Sequence, residues 1–105
     1  MERSLSIAIF GVGGMGGVFA SQFIQAGEQV ALIARGEHLK AIQQHGLTLE
    51  TDQGDVVTRP QIATENPTKV GVVDLVILGT KMDALRDALV AVRPMVGPQT
   101  GVLTI

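Results

Sequence analysis

Glycines at 11, 13 and 16 follow a short apolar run, Leu5-Ser-Ile-Ala-Ile-Phe10, and open an amphipathic one. The apolar run, with β-branched Ile7 and Ile9, predicts a strand. The segment after the glycines predicts a helix over about residues 14–26, with Val18, Phe19, Phe23 and Ile24 as its apolar residues and Gly27 as its stop. A second apolar run, Val30-Ala-Leu-Ile33, predicts another strand, and Ala34-Arg35 closes it. Strand, glycine turn, helix and strand within about 30 residues make a βαβ unit, and in that setting G-x-G-x-x-G is a dinucleotide fingerprint.

The three glycines have different tasks. Gly11 permits a tight turn out of the strand. Gly13 lets backbone approach a pyrophosphate, and Gly16 lets the helix sit close to the sheet. The amides of Gly13, Gly14 and Met15 then face an anion at a helix N-terminus. Gly11, Val12, Gly13, Gly14, Met15 and Gly16 are therefore the expected pyrophosphate-side residues. Chains that bind NAD usually place an acid at the end of the second strand to accept from the ribose 2′-OH. Arg35 stands there instead, followed by Gly36. A guanidinium grips a 2′-phosphate bidentately and stacks on adenine, so the expected cofactor is NADP(H). The plainer reading is an exposed surface arginine, with Glu37 either partly neutralising it or simply occupying the first turn of the next helix.

Farther along, 37–45 predicts a helix ended by Gly46, and 47–58 predicts a β-hairpin around Asp52-Gln-Gly54. A polar stretch, 59–69, leads to the most apolar strand, Val70–Leu78. A helix is expected from Thr80 to about Val92, with Leu85, Ala88, Leu89 and Val92 on one face. Pro94, Gly97 and Pro98 break it before a last strand at 101–105. Alternating strands and helices give a Rossmann-like, doubly wound α/β domain over 1–105, its mainly parallel sheet covered by helices on both faces. Ligands in such folds lie beyond the carboxyl ends of the strands. Gly79, Thr80 and Lys81 stand at one of those ends and are expected to face the cofactor, with Lys81 also in reach of a carbonyl substrate. Lys81 has a second reading as a solvent-facing lysine, and Thr80 with Asp83 reads as a capping box. Asp74 is expected at the entrance of its strand, bonding backbone amides. His38 and His45 read as helix-surface histidines, without the neighbours a metal site needs.

Composition narrows the partners. Of the 105 residues 46% are hydrophobic, yet only three are aromatic, all Phe, so the core must be aliphatic. A net charge of −2 with no basic cluster argues against nucleic acid. With no cysteine there are no disulfides and no thiol chemistry, which suits a reducing cytoplasm. Arg3 and the apolar 5–20 loosely imitate a secretory signal, but the dense glycines fit the strand–turn–helix better. No stretch approaches the roughly 18 apolar residues of a membrane span.

Three segments together, Ile7–Gly16, Ala26–Leu39 with its Arg-Gly-x-His-Leu, and Asp74–Lys81, resemble the N-terminal domain of ketopantoate reductases (2-dehydropantoate 2-reductases). The similarity covers essentially the whole chain, hairpin included. It implies an NADPH-dependent oxidoreductase that reduces ketopantoate, a small 2-oxo acid, to pantoate on the pantothenate route to coenzyme A. The counterpart of Arg35 in that family holds the 2′-phosphate, the glycine turn holds the pyrophosphate, and the counterpart of Lys81 reaches the active-site end of the cofactor. Family members continue past the last strand into a Gln-Asn-Gly segment. They also have a helical second domain carrying the proton-donating lysine and the substrate groups. Neither lies within these 105 residues. The chain is accordingly expected to be a piece of a longer protein, to bind NADP(H) without turnover, and to offer a sheet edge for homo-oligomer formation. Two other readings stand beside this one. A nucleotide-sensing regulatory module shares the glycine fingerprint, but commonly has an acid where Arg35 stands and does not need the hairpin. Another NADP-linked hydroxyacid dehydrogenase would share this half and differ in its partner domain.

Overall fold

The computed structural model of the chain describes residues 4–11, 15–79 and 84–105. In chain order its elements are β1 (Ser6–Phe10), α1 (Met15–Gln25), β2 (Gln29–Ile33), α2 (Gly36–His45), β3 (Leu47–Thr51), β4 (Gly54–Thr58), β5 (Ile62–Thr64), β6 (Leu75–Leu78), α3 (Leu85–Ala91) and β7 (Gly101–Thr104). Single 3-10 turns span Pro67–Lys69 and Arg93–Met95.

Three successive residues of β1, Ile7, Ala8 and Ile9, are buried, and that dictates the layering. Ile7 and Ile9 point to one face with Val30, Leu32 and Ile77, while Ala8 points to the other with Ala31, Ile33, Val76 and Leu78. A strand buried on both faces belongs inside a parallel sheet with helices on either side. The first face is covered by α1 and α2 through Ala20 and Ile42. The second is covered by α3 and the turn after it through Ala88, Val92 and Met95. Five strands pair in parallel in the order β5-β2-β1-β6-β7. The expected doubly wound sheet is therefore present, helices on both faces included. The hairpin also forms as expected: β3 and β4 make a separate antiparallel pair from Leu47↔Thr58 to Thr51↔Gly54, with Leu47 reaching the first core cluster.

Local chemistry sets two element ends. At Gly27 (φ 89°) the amide donates to the Ile24 carbonyl and the Glu28 amide to that of Phe23, a Schellman stop for α1. At the start of β6 the Asp74 carboxylate accepts from the Ser6 amide (2.9 Å) and hydroxyl (3.0 Å), as the strand-entrance reading expects.

Three expectations change. The strand at 70–78 shrinks to Leu75–Leu78, because Val70 takes a helical backbone (φ −83°, ψ −46°) and Val73 turns into the second core cluster, its amide bonded to the Met95 carbonyl. Those valines are apolar for packing, not for pairing. The polar stretch 59–69 hides β5, three residues that pair with β2. On α3, Leu85, Ala88 and Val92 face the sheet, but Leu89 is exposed, so the buried stripe is narrower than its apolar residues suggest. The beginning of the helix expected from Thr80, with the Thr80–Asp83 capping box, lies outside the described residues.

Candidate functional site

The order of strands reverses between β1 and β6: β2 and β5 lie to one side, β7 to the other. Phe10 and Leu78 are register partners there, so Gly11 and Gly79 leave the sheet side by side. The Gly79 amide donates to the Phe10 carbonyl at 2.8 Å. A Cβ on Gly79 would lie 2.7 Å from the Gly11 carbonyl oxygen, and one on Gly11 would lie 3.0 Å from that of Gly79. A Cβ on Gly16 would overlap the same Gly11 oxygen. One carbonyl is thus enclosed by three glycines, and Gly11 at φ 92° holds a backbone shape that other residues resist. Gly16 has the close-approach task expected of it, against the Gly11 carbonyl and Ile9, whose Cγ2 would lie 3.6 Å from a Cβ at position 16. Met15 begins α1 with its side chain exposed. Val12, Gly13, Gly14, Thr80 and Lys81, also expected at the site, lie outside the described residues.

Beyond these strand ends opens a cleft of about 670 Å³, bounded by Phe10, Gly11, Arg35, His38, Glu65 and Asp87 among others. Its walls come from four parts of the chain: the end of β1, the β2–α2 junction, the residue after β5, and α3. Arg35 stands at the N-cap of α2 in extended backbone (φ −150°, ψ 166°). Gly36 follows, and a Cβ built on it would meet nothing within 4 Å, so the space beside Arg35 is open. Glu37 turns to Lys40 (3.7 Å, both side chains exposed), a contact that leaves the cleft wall to Arg35 and His38. The arrangement suits an anionic ligand that crosses from the glycine corner to Arg35, since a guanidinium offers two parallel donors to a phosphate.

Sequence reasoning placed Gly11, Gly16, Gly79 and Arg35 around one crevice; in the fold Gly11 and Arg35 line the cleft, and Gly16 and Gly79 pack against Gly11. It passed over three others. His38 is exposed, as expected of a surface histidine, but it lines the cleft, whereas His45, exposed at the far end of α2, is not among the lining residues. Glu65 and Asp87 form further parts of the wall. Their only sequence signal would have been β5 and the crossing of α3 over the sheet, neither of which the local pattern discloses. Among the described residues no group of three or more His, Cys, Asp or Glu is placed to hold a metal ion, and no helix is long and apolar enough to cross a membrane.

Comparison with known proteins places this geometry. A family model described as "Ketopantoate reductase PanE/ApbA" matches residues 7–105. A 2-dehydropantoate 2-reductase of Mesorhizobium japonicum is 37% identical over 102 residues, which is 96% of this chain and 31% of that protein. The crystal structure of 2-dehydropantoate 2-reductase from Porphyromonas gingivalis W83 superimposes with a TM-score of 0.85 at 36% identity, over 95% of this chain and 37% of its own. A D-mandelate dehydrogenase solved as a ternary structure with NADH and anilino(oxo)acetate aligns at 32% identity and a TM-score of 0.84, over 96% of this chain and 33% of its own. The chain spans about a third of the length of the relatives it matches.

Proposed function

The chain belongs to the ketopantoate reductase PanE/ApbA family, and from that premise we propose that residues 1–105 are the NADP(H)-binding domain of an NADPH-dependent 2-oxo-acid reductase. Its substrate is 2-dehydropantoate, reduced to pantoate, and its site of action is the cytoplasm. One observation carries the choice of cofactor: Arg35, not an acid, borders the cleft where the second strand ends. A carboxylate there would accept from a free ribose hydroxyl and repel a phosphate, whereas a guanidinium reverses both preferences.

The residues fit a dinucleotide. The glycine corner packs backbone against backbone at the cleft's end, and the cleft continues from Gly11 to Arg35 beside the open space over Gly36. When bound, a reduced nicotinamide supplies hydride to the carbon of a 2-oxo group. In this reading the glycine turn, Gly11 to Gly16, binds the pyrophosphate, Gly79 and Thr80 border the cofactor, and Arg35 binds the 2′-phosphate. Lys81 is assigned the carbonyl end, where its ammonium polarises the oxygen on which negative charge develops. Proton delivery and substrate recognition are assigned to regions of the full-length relatives that this chain does not span. Isolated, the 105 residues are therefore expected to bind cofactor and not to turn over ketopantoate.

Titration calorimetry with NADPH and NADH tests the reading. NADPH should bind more tightly, and Arg35→Ala should erase the difference, at a cost of about 1.5–3 kcal/mol for a charge-assisted contact. Equal affinities in the unaltered chain would remove the argument. The likeness to a D-mandelate dehydrogenase solved with NADH supports a second reading, another hydroxyacid dehydrogenase with the same half-domain. Preference for NADH in the same titration would favour it.

A further inference from the structure

The cleft wall holds a second group able to carry positive charge beside Arg35, and the proposed 2′-phosphate site leaves it without a task. His38 lies three residues after Arg35 in the first turn of α2, and both side chains border the cleft. Residues at this spacing stand on one face of a helix end. Between them Gly36 contributes no side chain, and a Cβ there would meet nothing within 4 Å, so no protein atom fills the space above it. His38 is exposed.

We propose that His38 is a specificity-determining residue: as imidazolium it joins Arg35 on the 2′-phosphate and makes the preference for NADP over NAD depend on pH. The inference rests on the cofactor reading above. An imidazole changes charge between about pH 5 and 8, so the added grip is present at the acid end of that range and lost toward the alkaline end. The charged groups that line the cleft with His38 are Arg35, Glu65 after β5 and Asp87 on α3, and its own helix adds Glu37 and Lys40, which pair with each other. The incoming phosphate carries the largest negative charge of the set.

A phosphate monoester itself ionises near pH 6, so the test compares variants and not pH values alone, because that ionisation is common to all of them. NADP+ and NAD+, which survive acid better than their reduced forms, are titrated into the chain, His38→Gln and His38→Arg at pH 6 and pH 8. At pH 6 the unaltered chain should bind NADP+ roughly three- to tenfold more tightly than His38→Gln, shrinking to within about twofold at pH 8. His38→Arg, a fixed cation, should keep the tight binding at both pH values. NAD+ affinity should be the same in all three proteins, which also reports that the variants are folded. A gap that persists at pH 8, is absent at pH 6, or appears equally for NAD+ overturns the role of His38. An unaltered chain with no preference for NADP+ at either pH overturns the cofactor reading itself, a distinct result.

Discussion

A single carbonyl oxygen, that of Gly11, shows how tightly the centre of this site is specified. It lies against the Cα hydrogens of Gly16 and Gly79, and a methyl group at either position would have to displace backbone. Flexible side chains can yield to overpacking, but backbone held by two strands cannot do so cheaply. Gly79→Ala should therefore lower stability by about 1–3 kcal/mol in urea denaturation and weaken NADPH binding together with it, because the strand end moves. A fully stable Gly79→Ala protein would mean that β1 and β6 separate more easily than their register suggests. Arg35 and Gly36 represent the opposite case. They are exposed, with open space around them, and substitutions there should change ligand preference while leaving the fold alone.

Elements of this chain are tied at their ends as much as along their lengths. Ser6 and Asp74, 68 residues apart, exchange three hydrogen bonds through side chains and a fourth through backbone, at the starts of β1 and β6. These strands flank the point where the strand order reverses, so their relative height decides whether Gly11 and Gly79 meet. Asp74→Ala leaves a half-buried amide and hydroxyl without their acceptor and should cost about 1–2 kcal/mol. Thermal unfolding would check this, and Asp74→Asn should recover part of the loss. Element boundaries were only partly legible in the sequence. The helix end at Gly27 and the hairpin at 47–58 rest on local chemistry, a residue that accepts positive φ and an alternating pattern around a turn, and both stand where expected. β5 does not, because three residues at an edge carry too little pattern to be told from loop, and pairing with β2 is what makes them a strand. Val70 and Val73 misled in the other direction, since a loop packed under a helix needs valines as much as a strand does.

At the scale of the molecule, the position of β7 has a consequence for association. It pairs with β6 on one side, all four of its residues are exposed, and Val102 and Leu103 stand at 43% and 50% exposure with Ile105 just beyond at 43%. Among the described residues no strand pairs with its other edge. Exposed apolar edges seek partners, because unpaired amides and carbonyls template another strand. The 105-residue chain should therefore self-associate as concentration rises in sedimentation velocity, and Leu103→Lys should move the distribution toward monomer. A chain that stays monomeric over the whole range would remove the proposed homo-oligomer contact. The same sheet explains why the cleft exists at all. The connection leaving β1 runs through α1 to β2 on one side and the connection leaving β6 runs through α3 to β7 on the other, so the helices diverge there and a groove remains above the strand ends.

By itself the amino-acid sequence determined the doubly wound plan, the glycine corner and the place of Arg35, because each depends on contiguous residues: periodicity, missing side chains, and a charge at a fixed distance from a turn. Only the tertiary structure decided that His38, Glu65 and Asp87 share a cleft with them, that β5 is a strand, and that Leu89 faces outward. Those outcomes depend on which segments pair across long separations and on the angle at which a helix crosses the sheet, and no local run of residues encodes either.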